Sequence, residues 1–470
     1  MSLLPALMLA LSLLPTRPAG MFADNERSRL VAYWNSPERY KVSLPPDVRQ
    51  KGPWQVRLTP EGSLWLWKYQ NALGVGKVAP TTDFTKVAPQ ASEWKQWLDK
   101  KIEYDYWKAQ AAAESANLTL LSSATPSPEG GVVAPTALKP TPADPGTIPS
   151  TLLTLVGNPP SFANIVTPLL HTITFEDGET LEYKDNIKVG NPRYAYYRFP
   201  QGVVSYGVSL KKMLDSELNP IFAGAGFAEN ELKVAKAVSI LEGGFDSINT
   251  YDTGFVSVGF IQCITAVDGR GSLVQVLQKE KADRPEDFNR DFRQYGLDVT
   301  PDGTLTVIDP GTGAEITGSD AVMKVVEDKR LTAVFQHAGR RSLAFRIAQV
   351  QIARSVYWPA NDTVNVTLNG KAFKCKVCDV VKSEAGMATL FDRKVNRGNI
   401  RPLDDLITKI MVKYKLDSLS KAAMYEKELI QGLKYRTDFL VDATLSQPLD
   451  PTIPTEKDTQ AIEADADVLR

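Results

Sequence analysis

The chain has 470 residues, with 43% hydrophobic residues, 23% charged residues and a net charge of −1. This length exceeds one ordinary hydrophobic core and predicts two or three globular modules. The balanced charge gives no support for binding to nucleic acid or anionic lipid, and three cysteines are too few for a disulfide scaffold.

Residues 1–20 form a mostly apolar N-terminal segment that begins "MSLLPALMLALSLLP". About twelve apolar residues are too few to span a bilayer, which takes about 20, but they suit the central region of a secretory signal. We therefore expect export to the cell envelope or the extracellular space. The alternatives are a translated upstream segment, with Met21 as the true start, or an apolar arm that packs on a partner.

Residues 21–117 make a first module that is rich in tryptophan. In the stretch "SLWLWKY", Trp65 and Trp67 occupy alternate positions, which predicts a strand with both rings on one face. A helix is predicted from Ala91, because apolar and aromatic residues recur at steps of three and four. The rings could form a sugar-binding platform, but a small core of bulky rings is the interpretation that we favour.

Residues 118–160 differ in composition, since nine prolines stand among Thr, Ser, Ala and Gly. Such a stretch buries little apolar surface, and proline stiffens it, so we predict a linker. Residues 446–470 are polar and contain prolines, which is typical of a loose tail.

Residues 161–445 form the main body. Turns at Asp177-Gly178 and at Asp309-Pro310-Gly311 predict two hairpins. Strands cluster in the first half and helices dominate the second, which predicts an α+β fold that is mainly helical with a small β-hairpin region. The helices are expected at about 229–242, 319–338, 340–356, 376–391, 403–415 and 420–439.

Glu242 ends the helix predicted by "ENELKVAKAVSILEGG". Leu232, Ala235, Val238 and Leu241 make one apolar stripe, and the glycine pair that follows is suited to end the helix. Apolar surroundings and the negative end of the helix dipole both disfavour a charged carboxylate, so we expect the pKa of Glu242 to be raised. A carboxyl that keeps its proton near neutral pH is suited to act as a general acid.

Asp252 lies in the turn Asp252-Thr253-Gly254, which precedes a strand predicted from Phe255 to Gln262. Glycoside hydrolysis uses a carboxyl group on each side of the scissile bond. Asp252 is the best candidate for the second carboxylate, whereas the nearer Asp246 is suited to cap the loop.

The order E-G-G-F, N-T-Y-D and G-F-I-Q between Glu242 and Gln262 resembles the lysozyme superfamily, in which the catalytic glutamate ends a helix just before a β-hairpin. It is similar to chitosanases and to phage-type and transglycosylase-type muramidases, and the stretch from Ser383 to Gly398 resembles the helix that closes such clefts. The resemblance implies that Glu242 is the acid and that Asp252 activates water or stabilises charge. It implies substrate contacts at four further residues: Thr250, Tyr251, Gln262 and Asn396.

We therefore expect a glycoside hydrolase of peptidoglycan or a related chitosan-like β-linked amino-sugar polymer, with no cofactor and no metal. If Asp252 is not engaged, transglycosylase chemistry replaces hydrolysis. The alternative function is a non-catalytic glycan-binding or structural component of a phage-like particle or envelope assembly, whose partners would contact the N-terminal module. The Cys375–Cys378 pair could bind zinc only if folding supplied Cys263 and His337, and we expect His337 to be structural.

Overall fold

The computed structural model describes residues 20–46, 54–73, 91–123, 140–185 and 191–449. The side chains of Ala91, Ile240, Glu242 and residues 118–123 lie outside this description. The predictions for the N-terminal segment up to residue 19 and for the tail from residue 450 also lie outside the described residues.

The described residues contain fifteen α-helices and fourteen strands. The helices are α1 (Asp24–Trp34), α2 (Pro60–Ala72), α3 (Ala91–Ser123), α4 (Ser150–Val156), α5 (Asp215–Gly224), α6 (Glu229–Glu242), α7 (Ser272–Asp283), α8 (Pro285–Asp291), α9 (Ser319–Glu327), α10 (Lys329–Arg341), α11 (Leu343–Ile352), α12 (Glu384–Arg397), α13 (Leu403–Lys413), α14 (Leu419–Ala422) and α15 (Glu426–Gly432). The strands are β1 (Tyr40–Ser43), β2 (Gln55–Leu58), β3 (Ala163–Val166), β4 (Leu170–Thr174), β5 (Thr180–Lys184), β6 (Val204–Ser205), β7 (Ile248–Asn249), β8 (Ser257–Val258), β9 (Cys263–Ile264), β10 (Leu297–Val299), β11 (Leu305–Ile308), β12 (Glu315–Thr317), β13 (Thr363–Leu368) and β14 (Lys371–Lys376). This mixture of helix and sheet confirms the α+β expectation.

Two small sheets join the N-terminal residues to the main body. Strand β1 pairs with β4, which also pairs with β5, and strand β2 pairs with β3; all three pairings are antiparallel. Helix α1 adds Trp34, which is 1% exposed and packs its ring edge-on against Phe175. Strands β1 and β2 therefore belong to sheets that include strands of the main body, and Trp34 belongs to its core.

The predicted strand at "SLWLWKY" is wrong, because this stretch lies in helix α2. The Thr59 hydroxyl accepts a hydrogen bond from the Gly62 amide at 3.0 Å, and Pro60 occupies the first helical turn. Both features favour a helix start. Trp65 is consequently buried while Trp67 is 41% exposed, so the two rings do not share a face.

The aromatic core predicted for the N-terminal region is confirmed. Trp65 lies 6.2 Å from Trp97 and 5.6 Å from Phe162 between ring centres, and Trp94 is also buried. Helix α4 completes this cluster, since its Leu152 is fully buried there. The part of the predicted linker that forms α4 is therefore packed structure, and residues 124–139 lie outside the described part of the chain.

The main body follows several of the predicted elements. Strands β4 and β5 form the hairpin around Asp177-Gly178, and β11 and β12 form the hairpin that turns at Asp309. The helix predicted over 376–391 is displaced, because β13 and β14 pair as a hairpin first and α12 begins only at Glu384. The Ser383 hydroxyl accepts a hydrogen bond from the Gly386 amide at 2.9 Å and so caps α12.

Within the described residues, none of the helices combines the length and the apolar character that crossing a membrane requires.

Candidate active site

Helix α6 has the predicted acid, Glu242, as its last residue. The Glu231 carboxylate accepts a hydrogen bond from the Ala228 amide at 2.7 Å, which caps the helix start. The helix buries one face, as predicted, through Leu232, Val234, Ala235 and Val238. The sequence predicts Leu241 on this face as well, but Leu241 is 41% exposed. It lies one residue before the end of the helix.

Helix α6 ends at Glu242, as predicted, and two glycines define how the chain leaves it. Gly243 has a φ of 116°, a backbone conformation that favours glycine, and its amide donates to the Ser239 carbonyl at 2.7 Å. A Cβ on Gly244 would overlap the carbonyl of Val208, and the Gly244 amide donates to the Tyr206 carbonyl at 3.1 Å. The backbone of Glu242 therefore lies two residues from the close approach between Gly244 and the segment Tyr206–Val208.

Strands β7, β8 and β9 follow the helix and join β6, which precedes it, in a four-stranded antiparallel sheet of order β6–β7–β8–β9. The predicted strand from Phe255 to Gln262 is wrong in extent, because only Ser257–Val258 forms a strand within that range. Phe255 and Gln262 have φ values of 64° and 52°, which interrupt the extended conformation. The chain order of helix, glycine pair and antiparallel hairpin is nevertheless the one that the sequence predicts.

Asp252 is half-buried and stabilises its own turn. Its Oδ1 accepts from the Gly254 amide at 2.9 Å, and its Oδ2 accepts from the Asn249 side chain at 2.8 Å. The carboxylate also lies near an aromatic neighbour, because burial and then the Asp252 charge raise the pKa of Tyr194. Asp252 is therefore positioned rigidly at the side of the sheet that carries the tyrosines.

Two of the predicted substrate contacts have structural hydrogen bonds. Thr250 is fully buried, and its hydroxyl accepts from the Val203 amide at 3.0 Å. A residue with no exposed surface cannot touch a substrate in this structure, so Thr250 instead secures the pairing of β6 with β7. The Gln262 side chain donates to the Ser247 hydroxyl at 2.7 Å and to the Gly259 carbonyl at 3.0 Å.

Tyr251 is half-buried in a group of tyrosines beside Asp252. Its ring centre lies 5.9 Å from that of Tyr194 and 6.4 Å from that of Tyr197. Burial raises the pKa of Tyr251, a hydrogen bond with Tyr194 opposes the rise, and the nearby Asp252 and Tyr206 add to it. Tyr206 is 74% exposed and adjoins the end of α6 through the Gly244 hydrogen bond.

Tyr206 was not among the predicted site residues. The signal that could have found it is its position between the extended residues Val203–Ser205 and Gly207, where a short polar strand ends. An exposed aromatic ring beside a helix end is suited to stack on a sugar face.

Asn396 lies in the last turn of α12, the helix that packs against α6. Its side-chain amide donates to the Asp392 carbonyl at 3.1 Å, and the residue is half-buried. The role of Asn396 in binding a substrate stays a prediction.

Asp246 links the hairpin to the rest of the body, in agreement with its predicted loop-capping role. It is 3% exposed, and its two oxygens accept from the Val208 amide at 2.8 Å and from Arg340 Nε at 2.9 Å. Arg340 also donates to Glu179 at 2.9 Å. This chain of ion pairs connects the loop after Glu242 with the β4–β5 hairpin.

One group of side chains in the described residues has the spacing of metal ligands: the candidate ligand atoms of Asp177, Glu179 and His337 lie within 4.8 Å of one another. Arg340 pairs with Glu179, however, and Arg341 pairs with Asp177. Since these guanidinium groups already neutralise both carboxylates, we assign the group to an ion-pair network. His337 stacks on Phe175 with ring centres 3.9 Å apart, and burial lowers its pKa, so its role here is structural.

The cysteines that were considered for zinc are free thiols. Cys263 and Cys378 are buried, and Cys375 lies on strand β14, where burial raises the pKa of its thiol to about 11. Among the described residues, the group with the spacing of metal ligands contains none of these cysteines.

Comparisons of the chain with protein-family models, with curated proteins and with solved structures give no match.

Proposed function

We propose that the chain is a glycoside hydrolase of a β-linked amino-sugar polymer, with peptidoglycan as the first candidate and a chitosan-like polymer as the second. Glu242 is the general acid that protonates the leaving oxygen. The observation that supports this most strongly is the path of the backbone at the end of α6. The Gly243–Gly244 pair holds the helix end against Tyr206–Val208, and strands β7 to β9 of an antiparallel sheet follow in the chain.

The physical basis of the acid role is the position of Glu242 on the last helical turn. The partial negative charge of a helix C-terminus disfavours an ionised carboxylate and so favours retention of the proton. The lysozyme-like resemblance of the segment from Glu242 to Gln262 agrees with this assignment. Glu242 requires no metal for this chemistry, and the proposal includes no cofactor.

Asp252 is the second carboxylate of the proposed mechanism. Two donors fix its orientation, so it is suited to stabilise the positive charge that develops on the sugar ring or to orient a water. If Asp252 serves only its turn, Glu242 performs both proton transfers and the sugar closes on itself, as in a lytic transglycosylase.

Sugar binding is assigned to two tyrosines, one whose backbone adjoins the end of α6 and one next to Asp252 in the chain. Tyr206 offers an exposed ring next to the helix end, and Tyr251 adds a half-buried ring beside Asp252. Aromatic rings of this kind provide apolar area with a polar hydroxyl at the edge. The polymer would be met outside the cell or in its envelope, and the protein is proposed to be exported or carried on a particle.

A non-catalytic glycan-binding or assembly component is the second candidate. The observation that favours it is that Thr250, Gln262 and Asp252 have hydrogen bonds within the sheet itself, as expected for a scaffold that presents Tyr206 and Tyr251. Partners in an envelope assembly would then contact the N-terminal residues.

The test of the proposal is Glu242→Gln, which preserves shape and removes the acidic proton. We expect release of reducing sugar from purified cell walls to fall by about 100-fold or more, the scale of general acid catalysis. Glu229→Gln, at the exposed start of the same helix, is the matched control and should retain activity.

Unchanged activity in the Glu242→Gln protein would remove Glu242 from the mechanism. Wild-type protein that pellets with cell walls but releases neither reducing sugar nor anhydro-sugar ends supports the binding component. The same assay with chitosan separates the two polymers.

A further inference from the structure

A pocket of about 240 Å³ lies where the segment before helix α5 and the loop after α6 meet the junction of α10 with α11. Three basic side chains line it, from Lys212, Arg340 and Arg346, together with two carboxyl groups, from Asp246 and Glu217. We call it the basic pocket. A volume of this size admits a small molecule, and the charges that are not already paired determine which kind.

Three of the five charged groups in the basic pocket are engaged by the protein itself. Asp246 accepts from Arg340 Nε at 2.9 Å, and Arg340 Nη1 donates to Glu179 at 2.9 Å. Glu217 accepts from the Leu214 amide at 3.0 Å and so caps the start of α5. The two remaining basic side chains therefore decide which charge the pocket attracts.

Arg346 is half-buried, and its guanidinium group supports the end of helix α10. Its Nε donates to the Gly339 carbonyl at 2.8 Å, and its Nη2 donates to the Arg340 carbonyl. Among the described residues, Nη1 has no acceptor and is not sealed from solvent. Burial lowers the pKa of Arg346, and the charges of Asp246 and Glu217 oppose this change only in part. The guanidinium group therefore lines the pocket without a carboxylate paired to it.

Lys212 is the second basic side chain without a partner. It is exposed, and it has no hydrogen bond or ion pair with the residues that the structure describes, whereas the adjacent Lys211 pairs with Asp442 at 3.6 Å. Two unpaired cations that line one concave surface raise the local concentration of anions.

Apolar side chains line the same pocket beside these cations. Val208 is 50% exposed, and Met213 is half-buried. The Phe245 ring centre lies 5.8 Å from the guanidinium carbon of Arg346. A ligand that combines an anionic group with a short apolar chain would therefore match both parts of the lining.

We propose that the basic pocket binds a small organic carboxylate. One carboxylate oxygen accepts from Arg346 Nη1 and the other from Lys212 Nζ, while the apolar chain lies on Val208 and Met213. Hydrogen bonds between ionised groups are among the strongest in proteins, and a carboxylate supplies two acceptor oxygens for two separate donors. This binding does not depend on the catalytic role proposed for Glu242.

Calorimetric titration of the full-length protein with probes of equal chain length tests the proposal: pentanoate, 1-pentanol and 1-aminopentane. We expect pentanoate to bind at least about tenfold more tightly than the alcohol or the amine, because only the carboxylate forms charge-assisted hydrogen bonds. Equal binding of the alcohol, or undetectable binding of pentanoate, would overturn the proposal. Inorganic phosphate that binds as tightly as pentanoate would overturn the role of the apolar chain.

Three variants locate the carboxylate in the basic pocket. Lys212→Met and Arg346→Met each remove one donor and should weaken pentanoate binding by about tenfold. Glu217→Gln preserves the capping acceptor but removes a negative charge from the lining, so binding should strengthen by about twofold to fivefold. Lys211→Met, at the adjacent exposed lysine outside the lining, is the matched control and should bind normally.

Thermal unfolding of each variant shows whether it is folded under the titration conditions. If Arg346→Met is unfolded because the end of α10 loses its support, Lys212→Met and Glu217→Gln still test the site, since both positions are exposed. Pentanoate affinities that are equal in the wild type and in these two variants would contradict the proposal. Glu242→Gln should bind pentanoate normally, which separates failure of the catalytic assignment from failure of this site.

Discussion

Thr250 and Asp252 stand two residues apart and have different consequences for the proposed chemistry. Thr250 is fully buried and bonded to Val203, so it contributes stability to the sheet. Asp252 is half-buried, and each of its oxygens accepts one hydrogen bond. A carboxylate has about four acceptor positions, so those two bonds leave room for a water or a sugar hydroxyl.

A second residue with a chemical consequence is Glu426, which is 3% exposed on α15. It accepts from the Ser383 hydroxyl at 2.5 Å and from the Lys382 amide at 2.8 Å. Burial raises the pKa of Glu426 to about 6 from an ordinary value of 4.5, and the Ser383 hydrogen bond opposes the rise. Glu426 joins the start of α12 to α15, so its protonation affects how these helices pack.

Because the folded state binds this proton more tightly than the unfolded state, the contribution of Glu426 to stability is complete below pH 4.5 and is lost as the pH rises through about 6. Between pH 7.5 and pH 4.5 the group should add on the order of 2 kcal/mol to the free energy of unfolding. Urea denaturation of the wild type and Glu426→Gln at several pH values measures this. The difference between the two proteins should change over that range, and parallel pH profiles would contradict the assignment.

At the scale of elements, the end of helix α6 depends on a close backbone approach. Gly244 leaves space for the Val208 carbonyl, and this contact aligns the helix end with the segment before β6–β7. The Ser239 hydroxyl supports the same turn by donating to the Gly243 carbonyl at 2.6 Å. The direction in which the chain leaves Glu242 is therefore determined by two glycines and one serine.

Gly244→Ala should displace the helix end, since its Cβ would overlap a backbone carbonyl that cannot rotate away. We expect a loss of about 1–3 kcal/mol in the free energy of unfolding, the cost of overpacking in a closely packed region. Gly311→Ala is the matched control, because the nearest atom to its Cβ is the Asp309 side chain at 3.3 Å. Chemical denaturation measures both, and equal stabilities of the two variants would show that the close approach is unimportant.

Helix α2 shows how an element is misread from local pattern. "SLWLWKY" places Trp65 and Trp67 two positions apart, a spacing that is typical of one face of a strand. The decisive residues precede it: Thr59 caps and Pro60 starts a helix, so burial follows Trp65, Leu66 and Tyr69 at helical spacing. The capping signal from Thr59 and Pro60 is local, so it could have been used to predict the helix from the sequence. It outweighs the short run of alternating tryptophans.

At the level of the whole molecule, helix α1 connects the N-terminal residues to the main body through hydrogen bonds and an ion pair. Trp34 Nε1 donates to the Tyr295 carbonyl at 3.0 Å, and the ring is fully within the core. Glu315 accepts from the Met21 amide at 2.8 Å and pairs with Arg27 at 3.1 Å. Residues more than 250 positions apart are thus joined by buried and half-buried contacts.

Trp34→Ala should destabilise the protein by about 3–5 kcal/mol, the usual cost of removing a fully buried large aromatic ring. Because α1 shares the main core, calorimetry should show the principal unfolding transition moving to lower temperature. Trp67→Ala is the control, since that ring is 41% exposed and its loss should cost much less. A principal transition that is unchanged by Trp34→Ala would mean that α1 is not part of the cooperative unit.

Elements that depend on local signals could be predicted from the amino-acid pattern. Periodicity and the glycine pair predicted α6 and its end at Glu242, and turn residues predicted the hairpins at Asp177 and Asp309. The abundance of tryptophan predicted a ring-filled core near the N-terminus. These features depend on residues a few positions apart, where spacing and side-chain type carry the information.

The tertiary structure alone decided the features that depend on distant residues. Strands β1 and β4 pair although more than a hundred residues separate them in the chain. A periodic sequence pattern predicts a strand, but it does not predict which other strand will pair with it. The same holds for the burial of Thr250 beneath Val203 and for the side-by-side placement of Glu280 and Asp291 on consecutive helices. Exposure and charge coupling depend on what packs against a residue, and this information is absent from the residue's own neighbourhood in the chain.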